Sequence, residues 1–274
     1  MSSFTTRTND TPLTSSALVS ANSLSAAMSA LQVTHDDALR IPYYCEENVW
    51  RLAYRKLHTT NNTKDDNDDK WEYFVVFISN ANKSVPMFQQ KATKGNELSV
   101  CWDYHVILLA VLQNEDTTNE TDDKLPPVVL VYDMDSKLDY PSPLAIYLAE
   151  SFPFQYKQIY TPYFRIIPAA LYCKHFASNR MHMFNTQTNT WNHPPPSYQC
   201  IVPTTTPTNN NQPMDATEIP NNLNEYLDFS DCDTTNPSEP SYTLDYYLKT
   251  VFSMEQLEAF DFMTAAKALK ESDS

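Results

Sequence analysis

The sequence predicts an α+β fold built on a mainly antiparallel sheet. Strand-like runs follow one another over residues 71–79, 85–89, 101–112 and 128–132, joined by turns and polar loops rather than helices. Helical patterns flank them, over 45–57 ahead and over 143–152 and 169–177 behind. The chain is also large and apolar enough for a substantial core, with 274 residues, 42% of them hydrophobic, and 17 Tyr, 13 Phe and 4 Trp.

Residues 1–40 are Ser, Thr, Asn and Ala with few large apolar groups, and a disordered N-terminal tail is expected there. Over 45–57, Val49, Leu52, Ala53 and Leu57 fall on one helical stripe. Glu46 and Glu47 in the first turn, and Arg55 and Lys56 in the last, complement the helix dipole. Cys45 therefore opens a helix, where unpaired backbone N–H groups favour a thiolate.

A polar insertion over 61–70 precedes the buried strand at 71–79, and a turn at 80–83 follows it. Residues 85–89 are expected to return antiparallel, with Pro86 marking an edge or a strand start. Residues 101–112 read as one strand, whose alternation places Asp103 and His105 on one face and Trp102 and Tyr104 on the other. An acidic insertion over 113–124 leads to the strand at 128–132, which delivers Asp133 and Asp135 at its end.

Pro143 opens the helix at 143–152. A short strand at 164–167 and an extended proline segment at 191–198 come later. Residues 202–240 are largely Thr, Pro, Asn and Asp, a third insertion anchored only around 222–227. A helix begins at 242, and one amphipathic helix over 254–270 is expected to form a C-terminal tail. The expected organisation is thus one catalytic domain over 41–252 between a tail at 1–40 and a helical tail at 253–274.

Composition excludes several classes. Gly95 is the sole glycine, which removes dinucleotide fingerprints, phosphate loops and the serine-hydrolase nucleophile elbow, since all need several glycines. A net charge of −15 without a basic stripe argues against nucleic acid as a partner. No run approaches the length of a membrane span, and no signal peptide is recognisable. Five scattered cysteines with no C-x-x-C pair point to reduced thiols rather than a disulfide framework or a zinc site.

Cys45 on a helix, His105 at a strand's leading end and Asp133 at another's trailing end would supply nucleophile, base and orienting acid. That order is the one found in papain-like and transglutaminase-like thiol enzymes. Spacing does not choose Asp133 over Asp135 or Asp103, and a buried His105–Asp103 pair would explain the same strand without any chemistry.

The blocks Y-C-E-E-N at 44–48, F-I-S-N at 77–80, W-D-Y-H-V at 102–106 and Y-D-M-D at 132–135 narrow the reading. With F-A-S-N-R-M-H-M at 176–183, P-P-P-S-Y at 194–198 and Y-T-L at 242–244, they resemble the signature of the protein N-terminal glutamine amidohydrolases. The matching blocks run from about Tyr43 to Phe252, and only the tails and polar insertions depart from the pattern.

The resemblance implies a monomeric cytoplasmic and nuclear enzyme with a helix–sheet–helix sandwich related to transglutaminases. It would convert N-terminal glutamine of proteins or peptides to glutamate with release of ammonia, feeding N-degron proteolysis. The family pattern chooses Asp133, giving Cys45, His105 and Asp133 as catalytic residues and requiring neither metal nor organic cofactor. Glu47, Trp102 and Asp103 are candidates, by position, for contacts to the substrate's ammonium group and side chain. The competing readings are a transglutaminase-like or protease-like cysteine enzyme, and a non-catalytic interaction protein using Pro194–Pro196 and the tails.

Overall fold

Apolar side chains cover both faces of the central strands, so the sheet needs helices on both sides. A computed structural model describes residues 39–59, 71–112, 127–203, 219–230 and 242–272. The expected tail at 1–40, apart from Leu39 and Arg40, the insertions at 61–70 and 113–124, and most of the one at 202–240 lie outside the described residues. Strands β1 (Trp71–Ser79), β4 (His105–Leu112), β5 (Val128–Tyr132), β6 (Ser142–Pro143) and β7 (Tyr163–Pro168) form a five-stranded sheet in the order β6-β5-β4-β1-β7. Every pairing in it is antiparallel.

Along β1, Trp71, Tyr73, Val75 and Phe77 join one core and Phe74, Val76 and Ile78 the other. Helices α1 (Cys45–Thr59) and α3 (Ala169–His175) close the first face through Val49, Leu52, Ala53 and Tyr172. Helix α2 (Leu144–Ser151) closes the second through Leu144, Tyr147 and Leu148. Short helices α4 (Leu223–Tyr226) and α5 (Leu244–Lys249) add Tyr226 and Tyr247 to the first core. Among the described residues, no helix is long and apolar enough to cross a membrane.

Three sequence expectations change. The run 101–112 is two strands, because β3 (Ser99–Trp102) leaves the main sheet and pairs with β2 (Val85–Phe88) as a separate ribbon. Local hydrogen bonds break the ladder between them. Asp103 Oδ1 accepts the Tyr104 N–H at 2.9 Å, and the Ser79 hydroxyl donates to the Asp103 carbonyl at 2.6 Å. The alternation read across the break therefore fails, and Trp102 stacks on His105, with ring centroids 5.7 Å apart.

The segment 254–270 is likewise two helices, α6 (Met254–Glu258) and α7 (Phe262–Ser272), rather than one. Ser253 and Gln256 form a capping box for α6, and Asp261 side-chain oxygens accept from Thr264 to start α7. Leu257, Phe262, Ala265 and Ala266 are buried in the second core, and Lys270 pairs with Glu72 of β1. Finally, Pro143 caps α2 rather than lying in its first turn, and Leu144 is the first helical residue.

Candidate active site

The block that begins α1 is fixed residue by residue. Asn48 clamps the chain ahead of the helix, accepting from the Ile41 N–H at 2.9 Å and donating to its carbonyl at 2.8 Å. Tyr43 takes a left-handed backbone (φ 69°) to turn into the helix, and its ring stacks on His193. Arg180, itself at φ 62°, forks onto Glu47 at 2.9 and 2.8 Å. Its remaining donors hold the carbonyls of Pro196, Tyr198 and Gln199, so the proline segment is strapped to α1. Cys45 is thereby presented at the helix start, half-buried and facing a cleft.

His105 is the first residue of β4, opposite Ile78 of β1. Tyr132 lies opposite Leu108, so the chain leaving β5 runs back beside the beginning of β4. The structure pairs His105 Nε2 with Asp133 Oδ1 at 2.9 Å. Asp133 also accepts the Asp135 N–H at 2.9 Å, the Tyr147 hydroxyl at 2.9 Å and Gln90 Nε2 at 3.4 Å. The other ring nitrogen, His105 Nδ1, is buried with no hydrogen-bond partner. Asp135 turns elsewhere, to Arg40 at 2.7 and 2.9 Å.

The cleft has a volume of about 390 Å³, and Cys45, His105, Trp102, Asp103, Asp135 and His182 are among its lining residues. A larger hollow of about 710 Å³ lies over Arg165 and Lys249, but no thiol or imidazole lines it. Asp103 is exposed at the cleft, and Trp102 forms a wall that also bonds Gln90 through its indole N–H at 3.3 Å. Glu47 does not line the cleft. It is fully buried and committed to Arg180, so its candidacy as a substrate contact gives way to a structural role. Among the described residues, no group of three or more His, Cys, Asp and Glu side chains is placed to hold a metal ion.

Burial opposes charge on His105, but the Asp133 carboxylate outweighs it by charge and hydrogen bond, holding the imidazole above its ordinary value. Burial would raise Asp133, and the charge and hydrogen bond of His105 together with the Asp135 and Tyr147 donors hold it below the usual carboxylate range. Cys45 departs from the expectation set by its helix start. Burial first, then Glu46 and Asp135, push the thiol well above its ordinary value, and the Val106 N–H only partly offsets them. Burial, with these carboxyl groups, outweighs the partial charge of a helix end.

Glu46, Gln90 and Tyr147 are further residues of the site that the sequence does not mark: Glu46 stands inside Y-C-E-E-N without a feature to separate it from Glu47, and the other two carry no local signal.

A thiol and an imidazole on one cleft, with a buried carboxylate bonded behind the imidazole, form the constellation of thiol-dependent enzymes. Comparison with known proteins adds the family. The profile of the N-terminal glutamine amidase family matches residues 40–260. A protein N-terminal glutamine amidohydrolase of Arabidopsis thaliana is 38% identical over 216 residues, covering 78% of this chain and 83% of the relative. Proteins of the same name from Danio rerio and Bos taurus are 36% and 38% identical over 160 and 162 residues. Each alignment covers 58% of this chain, and 69% and 68% of the respective relatives. The chain belongs to the N-terminal glutamine amidase family, a family of amide hydrolases.

Proposed function

We propose that the chain hydrolyses the side-chain amide of an N-terminal glutamine in proteins or peptides, giving glutamate and ammonia. The observation that carries this reading is His105, bonded to Asp133 through Nε2 and with a buried, unpartnered Nδ1, on the same cleft as Cys45. An Nε2–H donated to Asp133 leaves the Nδ1 lone pair as the base.

Nδ1 takes the Cys45 proton as the sulfur attacks the carboxamide carbon of the substrate. The negative charge on the former carbonyl oxygen meets the Cys45 N–H, the first of the helix. The imidazolium then gives its proton to the amide nitrogen, the C–N bond breaks, and ammonia leaves a thioester. Water, deprotonated by Nδ1, attacks that thioester; glutamate forms and the thiol regains its proton. Asp133 fixes the tautomer and stabilises the imidazolium throughout.

Asp103 is the contact we assign to the substrate's ammonium group, because it is an exposed carboxylate on the cleft, oriented by its bond to the Tyr104 N–H. Trp102 would pack the methylene chain of glutamine. Helix, strand and strand carry Cys45, His105 and Asp133 in the order of a papain-like or transglutaminase-like core, and we assign the fold to that group. The four described cysteines are free, which suits a monomer in the reducing cytoplasm and nucleus. There its product, a new N-terminal glutamate, would enter N-degron proteolysis.

The test is ammonia release from matched peptides beginning with Gln, Asn and acetyl-Gln. Release from the first alone is expected. Equal release from acetyl-Gln would point to a transglutaminase-like enzyme, and none from any peptide to an interaction protein.

A further inference from the structure

Glu46 is a buried carboxyl that the reaction above leaves unused. It is 0% exposed, as is Glu47 beside it, yet their surroundings differ. Arg180 takes Glu47 with two charged hydrogen bonds. Glu46 receives the Tyr104 hydroxyl on Oε2 at 3.0 Å, and the same oxygen stands 3.7 Å from Cys45 Sγ. Its Oε1 has no hydrogen-bond partner, and His182 Nε2 stands 3.5 Å away. A carboxylate with no firm cation, pressed against the sulfur, opposes any negative charge that develops there.

We propose that Glu46 is a positioning residue for Cys45: with its carboxyl neutral the thiol can pass its proton to His105, and with its carboxylate charged that transfer is opposed. This rests on reading Cys45 as the nucleophile. Several titratable or charged groups face Glu46. Cys45 and Glu47 lie on α1, Tyr104 and His105 at the start of β4, and His182 on the short turn Met181–Met183. Tyr172 of α3 reaches its backbone carbonyl.

The balance among these groups favours the neutral form at neutral pH. Burial and the charge of Glu47 push the carboxyl up to about 8, against its own backbone N–H, the Tyr104 hydroxyl and the Cys45 thiol. Burial also holds His182 below its ordinary value, so it supplies no counter-charge. Below about 8 the proton stays on Glu46; above it the proton leaves, and the thiol is held back where it should be gaining reactivity.

Alkylation of Cys45 by iodoacetamide, followed by mass spectrometry across a pH series, reads the sulfur without any substrate. The ratio of Glu46→Gln to native rates should stay within about twofold near pH 6.5 and rise to about tenfold or more by pH 9.5, one pKa unit being tenfold. In Tyr104→Phe the loss of the hydroxyl leaves Glu46 protonated longer, so the native chain's flattening above pH 8 moves to higher pH.

A ratio that does not change with pH overturns the proposal, whether the loss is uniform, as for a structural residue, or the gain is uniform, as for a carboxylate charged throughout. Should Glu46→Gln fail to fold, Tyr104→Phe decides alone, and an unmoved flattening overturns it. Native enzyme that releases no ammonia but shows the pH-dependent ratio would remove the proposed reaction and leave this coupling standing.

Discussion

Two buried carboxyl groups serve the site, Glu46 against the thiol and Asp133 behind the imidazole, and the fold treats them in opposite ways. Asp133 accepts from His105, the Asp135 N–H, Tyr147 and Gln90. Glu46 has the Tyr104 hydroxyl, its own backbone N–H and the weak Cys45 thiol donor, and its Oε1 has no hydrogen-bond partner. Depth does not separate them, since Asp133 is 5% exposed and Glu46 0%. Burial pushes both up, yet Asp133 ends below its ordinary value and Glu46 near 8. The charge of a buried carboxyl is set by the donors its neighbours aim at it, and here the carboxyl behind the imidazole is kept ionised while the one against the sulfur is left free to be neutral.

The largest effect should come from removing the charge on the well-partnered side. Asp133→Asn keeps the shape but offers His105 Nε2 an amide instead of a carboxylate. The favoured tautomer then no longer leaves Nδ1 as a base, and ammonia release from a Gln-initiated peptide should drop by about 10³–10⁴-fold. Near-UV circular dichroism should be unchanged. A drop of less than tenfold in the folded variant would show that Asp133 does not orient His105, and the contrast between the two sides would lose its meaning.

Next in size is a change that makes Glu47 resemble Glu46. Arg180→Met strips the guanidinium from a fully buried carboxylate, which costs about 3–5 kcal/mol in comparable buried pairs. Urea unfolding should show that loss, and Glu47→Gln in the same chain should restore part of it by removing the stranded charge. A loss below about 1 kcal/mol would mean that water reaches the pair and that it behaves as a surface contact.

What the sequence made legible follows the range of the interactions. Strands β1, β4, β5 and β7 are visible because their apolar runs are local. The β2–β3 pairing is not, since it depends on a break at Asp103, whose carbonyl accepts from the Ser79 hydroxyl and whose side chain accepts from the Tyr104 N–H. Cys45, His105 and Asp133 stand out through short signature blocks, but the two glutamates after the cysteine are indistinguishable by composition. Only the rotation of α1 and a partner 133 residues away, Arg180, send Glu47 inward and leave Glu46 against the sulfur. Gln90 and Tyr147 carry no local signal, because one acts on Asp133 from the turn after β2 and the other from a helix that looks like ordinary core.

The smallest effect isolates one donor to Asp133. Tyr147→Phe removes a hydroxyl bonded to a charged oxygen at 2.9 Å, a contact worth about 1.5–3 kcal/mol. Asp133 is depressed in the folded chain, so its contribution to stability is present above the unfolded carboxyl value and is lost as pH falls through the folded one. Without Tyr147 that depression is smaller, and less stability remains to be lost in acid. The gap in urea midpoint between native and Tyr147→Phe chains should therefore be full at neutral pH and shrink as acid protonates Asp133 in both. Ammonia release should fall by no more than about tenfold, since His105 and the Asp135 N–H still hold the carboxylate. A gap that stays constant into acid would assign Tyr147 a packing role, and the charge of Asp133 would then rest on His105, Asp135 and Gln90.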